Sequence, residues 1–126
     1  MGLRRASALF VLVVLAWGAG GSVRAAPLTA SDRQIYIAAF DAAKRGDWSA
    51  AETTAAAAHD RLPAQALAFL DYTRDGSDAS FADLTAFIDA HPDWPSQNLL
   101  RRRAEEAIAT ATDAQLAPWF AVHPPV

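Results

Sequence analysis

The chain has 126 residues, 52% of them hydrophobic and 20% charged, with no cysteine and a formal net charge of −3. That length holds one globular domain at most. The apolar content excludes an intrinsically disordered chain, and the absence of thiols excludes disulfide staples and cysteine chemistry. Much of the apolar content lies near the start. Arg4 and Arg5 precede an apolar run from Ala6 to Trp17, followed by Gly18, Gly20 and Gly21 and then Val23-Arg24-Ala25. A positive head, a short apolar run and small residues at the −3 and −1 positions describe a secretory signal peptide cut after Ala25. The run is shorter than the ~20 residues that cross a bilayer, so no stable membrane anchor is expected, and there is no cysteine to acylate. Arg4-Arg5 is a twin arginine, but the Ala-Ser-Ala-Leu that follows fits a folded-export signal poorly. Loss of residues 1–25 leaves eight basic against fourteen acidic residues, a net charge of −6. Such a chain is a poor nucleic-acid binder, and the expected location is the periplasm.

Residues 26–126 read as all-α, because alanine is abundant and apolar positions recur at helical spacing. Ser31 is placed to cap a first helix carrying Ile35, Tyr36, Ala39, Phe40 and Ala43, with Gly46 just past its end. A second helix is expected from Asp47 to Arg61, stopped at Leu62-Pro63. Pro63 suits the first turn of a third helix reaching about Arg74. After the turn Asp75-Gly76-Ser77-Asp78, Ser80 and Asp83 form a capping box for a fourth helix whose Phe81, Leu84, Phe87 and Ile88 share a face. His91-Pro92-Asp93-Trp94-Pro95 ends it. A fifth helix is expected from Ser96 to Ile108, and Thr112 with Gln115 opens a short sixth helix through Leu116, Trp119 and Phe120. Pro118 falls inside that last segment.

Six helices in pairs carry a repeat. His59, His91 and His123 are 32 residues apart, each followed within four residues by proline. Ala50, Ala82 and Ala114 hold the same offset, as do Ile35, Leu67 and Leu99. The spacing predicts a short right-handed solenoid of three helical hairpins, close in period to tetratricopeptide repeats, whose units bury an apolar face on their neighbours. The stretch from Ala42 to Ala51 reads as the helix-turn-helix of such a unit. Leu84, Phe87, Ile88, Leu99 and Leu100 are expected to be mutually buried.

Several segments carry a family resemblance. They are Phe69-Leu70-Asp71-Tyr72, Ser80-Phe81, Phe87 to Pro95, Leu99 to Ala107, Trp119-Phe120 and His123-Pro124-Pro125. Together they resemble the N-terminal superhelical region of soluble lytic murein transglycosylases over residues 28–126, most specifically from His91 to Ala107. The resemblance implies a ring of helical hairpins that precedes a lysozyme-like domain cleaving peptidoglycan glycan strands to 1,6-anhydromuramyl ends. The family's catalytic Glu stands in a Glu-Ser pair, followed by a Gly-Leu-Met-Gln segment. Here Glu52 precedes Thr53, Glu105 precedes Glu106, Glu106 precedes Ala107, and the one methionine is Met1. No catalytic residue transfers. The chain is expected to be inactive alone, a scaffold segment acting on peptidoglycan through a catalytic region it lacks. The alternative is a free-standing periplasmic protein-binding module of tetratricopeptide type.

Other features are weaker candidates for chemistry. Histidines on successive hairpins would lie on the order of 10 Å apart, too far to share a zinc ion, so no metal and no cofactor is expected. Adjacent Glu105 and Glu106 diverge on a helix and do not converge on a glycosidic bond. Arg101, Arg102 and Arg103 could grip an anionic glycan or carboxylate, but Arg101 with Glu105 and Arg102 with Glu106 also stand at ion-pair spacing. Trp48, Trp94 and Trp119 could stack on sugars and equally suit packing between helices. Leu116, Trp119 and Phe120 are expected to form an open C-terminal face for a protein partner. On that expectation, Trp119→Ser with Phe120→Ser would improve solubility.

Overall fold

The computed structural model describes residues 26–126, and the leader expected over residues 1–25 lies outside them. Among the described residues there are six α-helices, one 3-10 turn and no strand. None of these helices is long and apolar enough to cross a membrane.

Helix α1 spans Ala30–Lys44 and is capped by Thr29, not Ser31. The Thr29 hydroxyl accepts from the Asp32 N–H at 3.0 Å. At the other end Gly46 takes φ +81°, the Gly46 N–H reaches the Ala43 carbonyl, and the Asp47 N–H reaches that of Ala42. This is a Schellman stop, which a glycine permits at no steric cost. Asp47 also opens helix α2, Trp48–Ala55, its carboxylate accepting from the Ala50 N–H at 3.0 Å. One residue therefore ends one helix and starts the next, which fixes a tight hairpin.

Helix α2 stops well short of the expected Arg61, and the cause lies elsewhere in the chain. Asp32, only 3% exposed, accepts from the N–H groups of His59 at 2.9 Å and Asp60 at 3.1 Å. Tyr36 donates its hydroxyl to the Asp60 carbonyl. These bonds draw residues 56–61 out of the helical path and tie the link to the start of α1. The amides of His59 and then Asp60 hold the Asp32 carboxyl below its ordinary value of 3.8. A depressed folded value means that the stabilisation is present above the unfolded value and lost as pH falls through the folded one. Thermal unfolding is thus expected to show a falling midpoint in strong acid. Asp32→Asn should lower the midpoint at neutral pH by several degrees and flatten that acid limb.

Helix α3, Leu62–Thr73, has Pro63 in its first turn as expected. Helix α4, Phe81–Ala90, carries the full Ser80–Asp83 capping box and ends at His91. Between α4 and α5, Gln97–Glu106, the Gln97 amide donates to the carbonyls of His91 at 2.9 Å and Trp94 at 3.0 Å. Those two hydrogen bonds close the link in which Ser96 is left-handed, φ 62°, a conformation that favours glycine. Helix α5 ends before the expected Ile108 and passes into a 3-10 turn, Ile108–Thr110. The Thr110 hydroxyl accepts from the Phe81 N–H at 2.8 Å, so the turn caps α4 from outside. Helix α6, Asp113–Val122, begins with Gln115 accepting from the Thr112 N–H at 2.8 Å and contains Pro118.

Each of α1 and α2 packs on the other and on α3, while α5 packs on both α3 and α4. Two apolar cores result. The first joins Tyr36, Ala39, Ala42, Ala51, Ala55, Ala58 and Leu67; its alanines let α1 and α2 approach closely. The second joins Phe81, Leu84, Phe87, Ile88, Leu100, Ala104 and Trp119, with Phe69 and Tyr72 of α3 against it. Helix α3 thus serves both cores. Leu99 is only half-buried, contrary to expectation, because α5 turns Leu100 and Ala104, four residues apart, into the core.

Candidate functional site

The arginine run does not form one anion grip. Arg103 donates to Asp75 at 2.7 Å and to Glu106 at 3.0 Å, and hydrogen bonds from Asp75 first and Glu106 second raise its already high pKa. Arg101 donates to the Pro124 carbonyl. Arg102 points to solvent. The expected pairs Arg101–Glu105 and Arg102–Glu106 do not form. Glu106 is taken by Arg103 one turn along, and Glu105 accepts from the Val126 N–H at 2.9 Å. Backbone donors and acceptors of the C-terminal residues outcompete the exposed helix pairs, which are worth only about 0.2–0.5 kcal/mol each.

The open aromatic face is not present either. Trp119 is 6% exposed and meets the Phe81 ring edge-on at 6.0 Å, while Leu116 and Phe120 are half-buried against the second core. Replacing Trp119 and Phe120 by serine should therefore weaken the fold, not improve solubility. Trp94 packs edge-on against Phe69 at 5.5 Å and Phe87 at 5.4 Å. Trp48 carries the Arg74 guanidinium 4.9 Å from its ring centre. Among the three histidines, His91 lies against Phe87 and Trp94, His123 stacks on Trp119, and His59 is exposed. Among the described residues no group of three His, Cys, Asp or Glu side chains is placed to hold a metal ion.

The feature that sequence reasoning missed is a cleft of about 460 Å³ between α2, α3 and the start of α4. Its floor includes Leu67 and Ala68, and its walls bring together Glu52, Asp71, Asp83 and Tyr72. Asp71 is buried and accepts from Arg74 Nε at 2.5 Å. Partial desolvation first, then the charges of Asp71 and Asp83, pushes the Glu52 carboxyl up. Burial, followed by the charges of Asp83, Glu52 and Asp71, raises the Tyr72 phenol to about 12. Glu52, Asp71, Asp78 and Asp83 outnumber Arg61 and Arg74 around the cleft, so the balance of charge is negative and favours cationic over anionic groups. The only sequence signal here is the Asp71–Arg74 spacing, since Glu52 and Asp83 arrive from other helices.

No protein-family model matches the chain, and no curated protein or solved structure matches it.

Proposed function

We propose that this chain is a non-catalytic helical scaffold segment of a periplasmic soluble lytic murein transglycosylase, a short right-handed stack of three hairpins that follows a cleaved leader. The supporting observation is the order of packing. Helix α1 meets α2 and α3, α2 meets α3, and α3 meets α5, so the helices that open the three sequence repeats touch in order, as a stack of repeats requires, while α4 packs most closely on α5, the helix that opens the next repeat. Burial supports the 32-residue period in a register of its own. Ala55, Phe87 and Trp119, each on the second helix of its 32-residue repeat, are all buried, whereas Ala82 and Ala114 are exposed.

The stretch His91 to Ala107, where the resemblance is most specific, makes the Gln97-locked α4–α5 link and buries Leu100 and Ala104. In this reading the scaffold meets peptidoglycan through a glycan-cleaving region outside the chain. Glu105 and Glu106 hold the Val126 N–H and Arg103 respectively. A second reading, a free-standing binding module, is favoured by one observation: Trp119 is covered, so the face that a further hairpin would occupy is already filled.

The test uses protein recovered from the periplasm, expected to begin at Ala26, incubated with purified peptidoglycan. No anhydro-muropeptides should be released, because glycoside cleavage needs an acid of raised pKa enclosed against the sugar, and Glu52, whose carboxyl is pushed up, is exposed on α2. Release that is abolished by Glu52→Gln would overturn the scaffold reading. Stable association with a lysozyme-like catalytic domain supports the scaffold over the free-standing module.

A further inference from the structure

Helix α6 is held differently from the other five. Trp119 is its only buried residue, no helix runs close alongside it, and Pro118 in its middle removes a backbone hydrogen bond. Its polar contacts gather at the far end. His123 stacks on Trp119 with ring centres 3.7 Å apart, and its Nε2 lies 3.9 Å from Asp89 of α4. Arg101 of α5 donates to the Pro124 carbonyl, and Glu105 of α5 accepts from the Val126 N–H at 2.9 Å. At the near end, the bond from the Phe81 N–H to Thr110 fixes the chain as far as Thr110. Ala111 and Thr112 then run extended into α6, both with ψ of 156°.

We propose that α6 is a hinged lid on the packed α4–α5 pair, turning at Ala111 and Thr112, and that Asp89, Arg101 and Glu105 clasp its far end shut. The lid opens as a unit while α1 to α5 stay folded. Local openings take place where few apolar groups are buried and polar contacts are exposed to competing water. That describes α6, whereas α4 buries Phe81, Leu84, Phe87 and Ile88 along its whole length. Each clasp contact is exposed or partly so and is weak by itself; the three act together because all bear on the four residues from His123 to Val126. Opening parts Trp119 from Phe81 and uncovers the second core on that side.

Native-state hydrogen exchange on the intact protein, read by mass spectrometry, tests both parts. Amides of Asp113–Val122 should exchange about tenfold or more faster than those of α4 and α5, through an opening insensitive to low denaturant. Arg101→Ala with Glu105→Gln should speed α6 exchange a further roughly fivefold and leave α4 unchanged. Equal protection and equal denaturant dependence in α4 and α6 would overturn the lid. Unchanged α6 exchange in the double variant would overturn the clasp. Asp89→Asn, which leaves α5 intact, supplies the same clasp reading if the double variant folds poorly.

Discussion

Phe87→Ala is expected to cost about 3–5 kcal/mol of stability, the range for removing a buried aromatic ring from a packed core. The ring is where three elements meet. It faces Tyr72 of α3 edge-on at 5.4 Å and Phe69 at 6.4 Å, and it touches Trp94 at 5.4 Å and His91 at 4.6 Å in the link after α4. Truncation leaves a void bounded by rigid rings, which collapse poorly onto an alanine. Domains of this size have only about 5–15 kcal/mol in total. The thermal midpoint should therefore fall on the order of 20 °C, measured by circular dichroism. Phe87→Leu, which retains most of the volume, should lose much less. An unchanged midpoint for the alanine variant would mean that the aromatic cluster is not what joins α3 to the α4–α5 pair.

Trp119→Ala is expected to detach α6. Truncating a buried aromatic costs about 3–5 kcal/mol, and in this helix the whole loss falls on the one buried residue. Helical ellipticity should drop by the share of ten residues that α6 contributes, while emission from Trp48 and Trp94, packed elsewhere, stays as before. A variant that retains the ellipticity of α6 but unfolds earlier as a whole would place Trp119 inside a single cooperative core. Phe120→Ala, at a half-buried position, should have a clearly smaller effect.

The cleft shows why a site can be silent in a sequence. Asp71 and Arg74 stand three residues apart, and their pairing is legible from spacing alone. Glu52 and Asp83 reach the same cleft only because α2 and α4 both flank α3, an arrangement that no local pattern encodes. The arginine run misleads for the opposite reason. Three adjacent cations look like one patch, but successive residues on a helix diverge by about 100°. Arg101, Arg102 and Arg103 accordingly go to the Pro124 carbonyl, to solvent and to Asp75 with Glu106.

What the sequence determined by itself is the all-helical class, the number of helices and the starts that depend on local chemistry. The capping residues Asp47, Ser80 and Gln115, the stop at Gly46 and the entry at Pro63 each satisfy or remove backbone groups within a few residues, so they act before any tertiary contact forms. What the tertiary structure decided is where helices end early and which apolar residues are covered. Asp32 ends α2 by capturing two amides 27 and 28 residues away, and Thr110 closes α5 while capping α4 across 29. Trp119 is buried because Phe81, 38 positions earlier in the sequence, offers a ring edge to it. A buried polar group or a large indole finds its partner by proximity in space, and proximity is fixed only when the helices pack.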